Sequence, residues 1–207
     1  MPLTKRSDCA TMSEGGQEAH VMEFRSIKKI HEGEFITRYD VTYETADHKE
    51  KVYEMISRNK NLTSCEELSE SPDDAVVLIM HDASGEKILL NKEFRMAAGK
   101  SVYNFPAGLI EPGESLYESA KRELKEETGL DLVEIKHTLY DSYSAVGFSN
   151  EKNKCIIGVA DGEFAPSDSV YEEIEAAWFT KDEVNKLLLD QPFAARTQTY
   201  CYMWAKS

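Results

Sequence analysis

Three glutamates, Glu123, Glu126 and Glu127, stand close together in the middle of the chain. On a helix, positions three and four apart are surface neighbours, so these side chains would lie on one face. Crowded carboxylates repel one another, but the arrangement becomes favourable when they bind a hard divalent cation such as Mg²⁺. A solvated acidic surface is the alternative, because charge runs usually lie in water. The spacing therefore indicates a candidate cation site, and the neighbouring residues have to support this interpretation.

The residues around these glutamates predict a loop followed by a helix. Pro112-Gly113 is a turn dipeptide. Ser115 followed by Glu118 forms a capping box, in which each side chain bonds to the other residue's backbone N–H. Strong helix formers follow until Gly129, the expected C-terminal stop. An apolar stripe along this helix would face the core; it consists of Leu116, Ala120 and Leu124.

The whole stretch from Gly108 to Leu130 reads GLIEPGESLYESAKRELKEETGL. Its defined positions are Gly108, then Glu114, then Arg122-Glu123-Leu124, then Glu126-Glu127, then Gly129-Leu130. This stretch resembles the signature of the Nudix hydrolases at every defined position, and the predicted turn-then-helix context agrees with that motif.

The resemblance implies hydrolysis of a nucleoside diphosphate linked to a further moiety, with Mg²⁺ or Mn²⁺ bound by the glutamate cluster. The implied metal ligands are the carboxylates of Glu123, Glu126 and Glu127 and the backbone carbonyl of Ala107. Glu126 and Glu127 would also belong to the catalytic machinery. Glu114 and Arg122 match the ion pair that ties loop to helix in this family.

Composition limits the possible partners. The chain has 207 residues, 41% hydrophobic and 30% charged, with a formal net charge of −14. Phosphate backbones are bound through lysine and arginine, so we expect no nucleic-acid partner. No apolar run has the length of a membrane span, and no secretory signal is visible, so we expect a cytoplasmic protein without a membrane partner.

The pattern of elements predicts an α/β fold. Alternating residues between Glu23 and Arg58 predict an antiparallel strand pair. The apolar run Ala75–Met80 predicts a strand buried on both faces, and Thr180 is expected to cap a helix. We expect a Nudix α/β/α sandwich with a mixed sheet (residues 63–207), preceded by a small antiparallel sheet (residues 21–62) and a flexible tail (residues 1–20).

Beyond the signature, the chain is most similar to the ADP-ribose pyrophosphatase branch. The lead-in from Phe105 to Glu114 is typical of that branch, and Arg95 follows an aromatic residue where relatives contact the pyrophosphate. A guanidinium suits such bidentate contact. In these relatives the N-terminal strands form a dimer, and aromatic side chains stack on the adenine. The resemblance therefore implies a homodimer through the N-terminal sheet, with Phe35, Tyr53 and Arg58 as substrate-binding residues.

The branch also carries a catalytic glutamate in a late loop. Glu172 is our choice by position, and Glu173 is the alternative because one residue of slippage is easy. The chain departs from the branch at Val146, where relatives commonly have a proline that marks ADP-ribose preference.

We therefore predict Mg²⁺-dependent hydrolysis of ADP-ribose or a similar nucleoside diphosphate sugar to a nucleoside monophosphate and a sugar phosphate. One alternative is a pyrophosphatase for another sugar nucleotide, of the GDP-mannose type. A second is a non-catalytic Nudix module that binds ADP-ribose. The sequence leaves open the preferred base and sugar, Mg²⁺ against Mn²⁺, and the phosphorus that is attacked.

Overall fold

The computed structural model describes residues 22–167 and 173–207, which form two compact units. One unit contains the residues up to 74 together with 143–152, and the other contains 75–142 and 153–207. The predicted fold class is confirmed: a mixed sheet lies between helices, and a separate small antiparallel sheet is formed by the N-terminal strands.

The first unit contains a three-stranded antiparallel sheet. Its strands β1, β2 and β3 pair in chain order and run over Glu23–Glu32, Thr37–Glu44 and Glu50–Ser57. A short helix, α1, follows at Cys65–Ser69. The core of this unit consists of Tyr39, Val41, Met55 and Leu62. The Tyr39 hydroxyl donates to the Asn59 carbonyl at 2.8 Å, so the one polar atom of this buried ring is satisfied.

The second sheet has eight strands within the described residues, and their order is β11-β5-β4-β10-β8, with β6, β7 and β9 paired to β5, β4 and β10. The strands are β4 Ala75–His81, β5 Lys87–Arg95, β6 Lys100–Asn104, β7 Ala107–Leu109, β8 Asp131–Thr138, β9 Ser142–Tyr143, β10 Lys152–Asp161 and β11 Ile174–Thr180. β10 runs parallel to β4, and its other long neighbour, β8, is antiparallel. All residues of β4 are buried, as its apolar run predicts.

Helices cover both faces of this sheet. Helix α2, Leu116–Thr128, packs Ala120 and Leu124 on alternate β4 residues such as Leu78. Helices α3 (Lys181–Asp190) and α4 (Ala195–Lys206) cover the opposite face, where Ile79 belongs to one core cluster with Val184 of α3 and Cys201 of α4. None of the helices in the described ranges has the length and apolar character needed to cross a membrane.

Several elements differ from the sequence expectation. The sequence from Leu132 to Tyr143 predicts one further strand, whereas the pairing of β8 ends at Thr138 and β9 begins only at Ser142. The alternation from Glu23 was expected to give two strands, and it contains a third, β1. Strand β6 and helix α1 were not predicted, although the capping box of Ser64 and Glu67 at the start of α1 was a signal in the sequence. The sequence predicts a last helix from Pro192 to Lys206, whereas α4 begins at Ala195. Phe193 lies before it, stacked on Tyr103 with ring centroids 5.3 Å apart.

Candidate active site

Helix α2 presents the signature glutamates in a fixed rotation. Its start is set by the predicted capping box, since the Ser115 side chain accepts from the Glu118 N–H and Glu118 accepts in return. Its end is set by Gly129 in the left-handed region, at φ 80°. Because Leu124 is anchored in the core, Glu127 is buried with 7% exposure, whereas the Glu126 side chain stays 49% exposed.

The Glu127 carboxylate is oriented by two donors from the sheet. The Asn91 side-chain amide on β5 donates to Glu127 Oε2 at 2.8 Å, and the Ala107 backbone N–H on β7 donates to the same oxygen at 3.3 Å. Asn91 is fully buried, and its Oδ1 has no hydrogen-bond partner in the described residues. A buried acceptor without a partner is unusual in folded proteins.

Glu123 depends on a glycine in the preceding loop. A Cβ atom built on Gly108 would overlap the carboxylate of Glu123. The carboxylate therefore lies against the β7 backbone, in space that any other residue at position 108 would fill. This close approach explains the first glycine of the signature.

Arg122 joins the loop to the helix. Its Nε and Nη2 each donate to Glu114 at 2.8 Å, one to each carboxylate oxygen, and Nη2 also donates to the Leu109 carbonyl at 3.0 Å. Nη1 donates to Glu123 at 2.8 Å and to Glu126 at 3.2 Å. The Arg122 guanidinium, with help from the Ser119 hydroxyl, lowers the pKa of Glu114 to about 2. The Glu114 carboxylate raises the pKa of Arg122 in turn.

A series of hydrogen bonds leads from α4 to Arg95. The Thr197 hydroxyl donates to Asn104 Oδ1 at 2.9 Å, and the Asn104 amide donates to Glu93 at 2.9 Å. Glu93 is buried on the same face of β5 as Asn91, and it accepts from the exposed Arg95 guanidinium at 3.5 Å. These hydrogen bonds fix Glu93 beside the predicted arginine, on the same face of the sheet as Glu127.

The predicted late-loop glutamate, Glu172, lies outside the described residues. Glu173, the alternative, is exposed and immediately precedes β11, and its carbonyl accepts from the Phe94 N–H at 3.2 Å. The register of β11 on β5 pairs Ile174 with Glu93. Glu173 is therefore at the end of β5 that carries Arg95.

The predicted base-binding residues belong to the first unit. Phe35 is 73% exposed and lies between β1 and β2. The Tyr53 hydroxyl donates to the Gly147 carbonyl, and Arg58 Nε donates to Glu151 at 2.6 Å. Val146, the departure from the branch, is exposed in the same unit. The substrate-binding residues proposed from the sequence are thus divided between the two units.

The donor set of α2 has the chemistry of a Mg²⁺ or Mn²⁺ site. Two of its carboxylates, Glu123 and Glu127, approach the β7 backbone and therefore the Ala107 peptide, and all the implied donors are oxygen atoms, as hard cations require. Within residues 22–167 and 173–207, however, no three carboxylate, imidazole or thiol groups converge on one point. Arg122 bonds to two of the three signature carboxylates. The residues fit the cation in type and location, with Glu126 extended towards solvent.

Sequence reasoning missed Asn91, Glu93 and Asn104. Asn91 and Glu93 follow the buried Leu89 at a spacing of two on β5, so polar residues on the inner face of a predicted strand were the available signal. Their meeting with Glu127 and Asn104 depends on strand pairing between distant segments, which the sequence does not give.

Comparisons with known proteins agree with this geometry. A family model described as NUDIX domain matches residues 71–200. The NAD-capped RNA hydrolase NudC of Mycobacterium tuberculosis is 32% identical over 121 residues, 56% of this chain and 35% of that protein. The ADP-ribose pyrophosphatase of Saccharomyces cerevisiae is 28% identical over 149 residues, 69% of this chain and 60% of that protein.

Among solved structures, a protein described as an ADP compounds hydrolase matches with a TM-score of 0.68 and 21% identity, over 94% of this chain and 95% of that one. This match supports the fold. The chain spans only about a third of the length of the NudC protein it matches.

The ion pair between Glu114 and Arg122 predicts a pH-dependent contribution to stability. The pKa of Glu114 is lowered from 4.5 to about 2 in the folded chain, so the stabilisation is fully present above pH 4.5 and is lost as the pH falls towards 2. Urea unfolding of wild type and Glu114→Gln should show the largest difference in stability near pH 7 and a shrinking difference towards pH 3. Glu134→Gln, an exposed glutamate of β8, is the control. A Glu114→Gln difference that stays constant from pH 7 to pH 3 would contradict the assignment.

Proposed function

The chain belongs to the NUDIX family, and we propose that it hydrolyses the pyrophosphate of ADP-ribose or a similar nucleoside diphosphate sugar. The products are a nucleoside monophosphate and a sugar phosphate. The observation that carries this proposal is the buried Glu127, held by Asn91 and the Ala107 N–H beside Glu123 on one face of α2. A buried carboxylate held by two donors from one side has its position fixed before any ligand binds.

The proposed metal ligands are the three signature glutamates, Glu123, Glu126 and Glu127, with the Ala107 carbonyl. A bound Mg²⁺ or Mn²⁺ would neutralise pyrophosphate charge and lower the pKa of an attacking water. Arg122 keeps Glu123 and Glu126 close to the loop through its contacts at 2.8 Å and 3.2 Å. Glu126, being half-exposed, is the glutamate with most freedom to change rotamer.

Arg95 is the proposed contact for the pyrophosphate. Its guanidinium is exposed, and its neighbour on the same strand face is the buried Glu93 carboxylate at 3.5 Å. The long distance leaves most of its five N–H donors available for phosphate oxygens. Glu93 is in turn fixed by Asn104, so it limits the directions that the guanidinium can take.

Glu172 is the proposed residue that orients or deprotonates the attacking water. It lies outside the described residues, and this role rests on the family resemblance. Its neighbour Glu173, the alternative, is fixed through its carbonyl to Phe94. A base at the end of a loop can close over a bound substrate and exclude water.

For the base of the substrate we propose the first unit. Phe35 has an exposed ring, and aromatic stacking tolerates any base because every base has a π-face. Tyr53 and Arg58 are already bonded within that unit. We further propose that residues 21–62 mediate a homodimer and that residues 63–207 carry the hydrolytic site.

The similarity to NudC favours a second candidate, a nicotinamide dinucleotide at the end of an RNA. Such a substrate contains the same pyrophosphate, so the α2 site would serve without change. The net charge of −14 opposes a long RNA contact. Hydrolysis of a GDP-mannose-type sugar nucleotide would use the same α2 site with different base contacts, whereas a non-catalytic module would bind ADP-ribose without turnover.

Glu127→Gln should leave the fold intact and reduce hydrolysis by about a hundredfold or more, because the amide keeps the volume but removes the anionic ligand. Product release should be followed by chromatography with Mg²⁺, on ADP-ribose, GDP-mannose, UDP-glucose, NADH, diadenosine polyphosphates and an NAD-capped RNA oligonucleotide.

The matched control is Glu118→Gln, the same change of charge on the first turn of the same helix, where glutamine still completes the capping box. Unchanged turnover in Glu127→Gln would refute the metal assignment. No turnover of any substrate by wild type would favour the binding module, and a preference for NAD-capped RNA would favour the second candidate.

Gly108→Ala should lower activity by about a hundredfold while the chain still folds. The added methyl overlaps the Glu123 carboxylate, which is the mobile end of a side chain and moves aside, and displacement of a site group by about 1 Å has an effect of this size. The control is Gly85→Ala in the β4–β5 turn, where positive φ strains alanine but no atom lies within 4 Å. If the loss of activity in Gly108→Ala is no larger than its loss of stability explains, as we expect for Gly85→Ala, then the position of the Glu123 carboxylate does not depend on Gly108.

Asn91→Leu should raise the Mg²⁺ concentration that gives half-maximal hydrolysis by about tenfold, since residues that orient metal ligands usually have effects of this size. Leucine keeps the branched shape of the side chain and removes both the Nδ2 donor to Glu127 and the unpartnered Oδ1. Mg²⁺ titrations of wild type, Asn91→Leu and Asn91→Asp measure it. An unchanged midpoint in both variants would show that Asn91 is purely structural.

A further inference from the structure

A large groove lies on the face of the sheet opposite α2, within the second unit. Its volume is about 590 Å³, inside the range of about 300–1,000 Å³ that small-molecule sites occupy. Ile79 and Cys155, from the adjacent strands β4 and β10, form the floor. The walls come from α4 and from the segment between β8 and β9, with Met203 on one side and Leu139 and Tyr140 on the other.

The rim of this groove is apolar and exposed. Tyr140 is 87% exposed, Met203 is 65% exposed and Leu139 is 45% exposed. The ring of Tyr140 is held by Lys154, whose Nζ lies 5.0 Å from the ring centroid and also pairs with Asp141. A contiguous exposed apolar surface is typical of a binding site, whereas single exposed apolar residues are common on any protein surface.

One cation lines the groove, and its hydrogen bonds go to neutral acceptors. Arg196 Nη2, on the first turn of α4, donates to Asn153 Oδ1 at 2.7 Å and to Ser142 Oγ at 3.3 Å. In the described part of the chain no carboxylate forms an ion pair with Arg196. Both bonds use the same terminal nitrogen, so the guanidinium is held in place while Nε and Nη1 have no acceptor in those residues. These two donors point to opposite edges of the guanidinium, so each can donate one charge-assisted hydrogen bond to a carboxylate oxygen.

We propose that this groove binds an amphipathic monocarboxylate, an aromatic or aliphatic acid. Its apolar body lies on Ile79, Cys155 and Met203, and its carboxylate binds Arg196. One unneutralised guanidinium balances one negative charge, because Lys154 is already paired with Asp141. The groove and the α2 glutamates are on opposite faces of the sheet, so this site is independent of the proposed hydrolysis.

The test uses 1-naphthaleneacetate and its neutral analogue 2-(1-naphthyl)ethanol, which share one apolar body. Titration of the ¹⁵N-labelled full chain should shift amide signals of residues 139–142 and 195–203, with a Kd for the acid at or below about 1 mM. The alcohol should bind about tenfold more weakly, since it lacks the charge-assisted contact.

Arg196→Gln should weaken the acid by about tenfold and leave the alcohol unchanged. Arg25→Gln, an exposed arginine paired with Glu44 in the first unit, is the matched control and should leave both affinities unchanged. Thr199→Phe, on the groove wall and exposed, should fill the groove and weaken both ligands. Hydrolytic activity should be the same in all of these variants.

Three results would overturn the proposal. The first is equal affinity of the acid for wild type and Arg196→Gln. The second is a set of amide shifts that lies away from the groove. The third is a self-associated chain, seen in sedimentation velocity, that Thr199→Phe dissociates, because the groove would then be covered by a second copy of the chain.

Discussion

The bond between Arg122 and Glu114 is the contact on which the candidate site depends. The Arg122 side chain reaches the loop, through Glu114 and the Leu109 carbonyl, and also two signature glutamates, Glu123 and Glu126. A bidentate guanidinium–carboxylate pair restricts both partners in orientation as well as in distance. The loop that brings Gly108 against Glu123 is thereby held to the helix. Without Arg122, the three like charges on α2 would lose the cation that bonds to two of them.

The sequence predicted the parts of this site that are local. Ser115, Glu118 and Gly129 set the ends of α2 by short-range hydrogen bonds and backbone conformation, and all three are confirmed. The burial of β4 and the capping of α3 by Thr180 are local in the same sense. Asn91 could not be predicted as a partner of Glu127, because 36 residues separate them and only the packing of α2 on β5 brings them together. The hydrogen bonds that connect Thr197 to Glu93 through Asn104 could not be predicted either, because they join α4 to β5, which lie even farther apart in the sequence.

The comparisons and the geometry both support assignment of the chain to the NUDIX family. The NUDIX model covers the residues that form the mixed sheet and α2, and relatives with two different named substrates match this region. What these named substrates have in common is a pyrophosphate, which is the group that we propose Arg95 and the α2 glutamates bind. For base selection our proposal names Phe35 and Tyr53 of the first unit, the unit that also contains Val146.

The most direct test of the proposed cation site is the binding of Mn²⁺, measured by electron paramagnetic resonance of the free ion during titration of the full chain. We expect saturable binding to wild type, loss of that binding in Glu127→Gln, and unchanged binding in Glu118→Gln. Binding that is equal in all three proteins would contradict it, because the cation would then be held elsewhere on a chain with a net charge of −14.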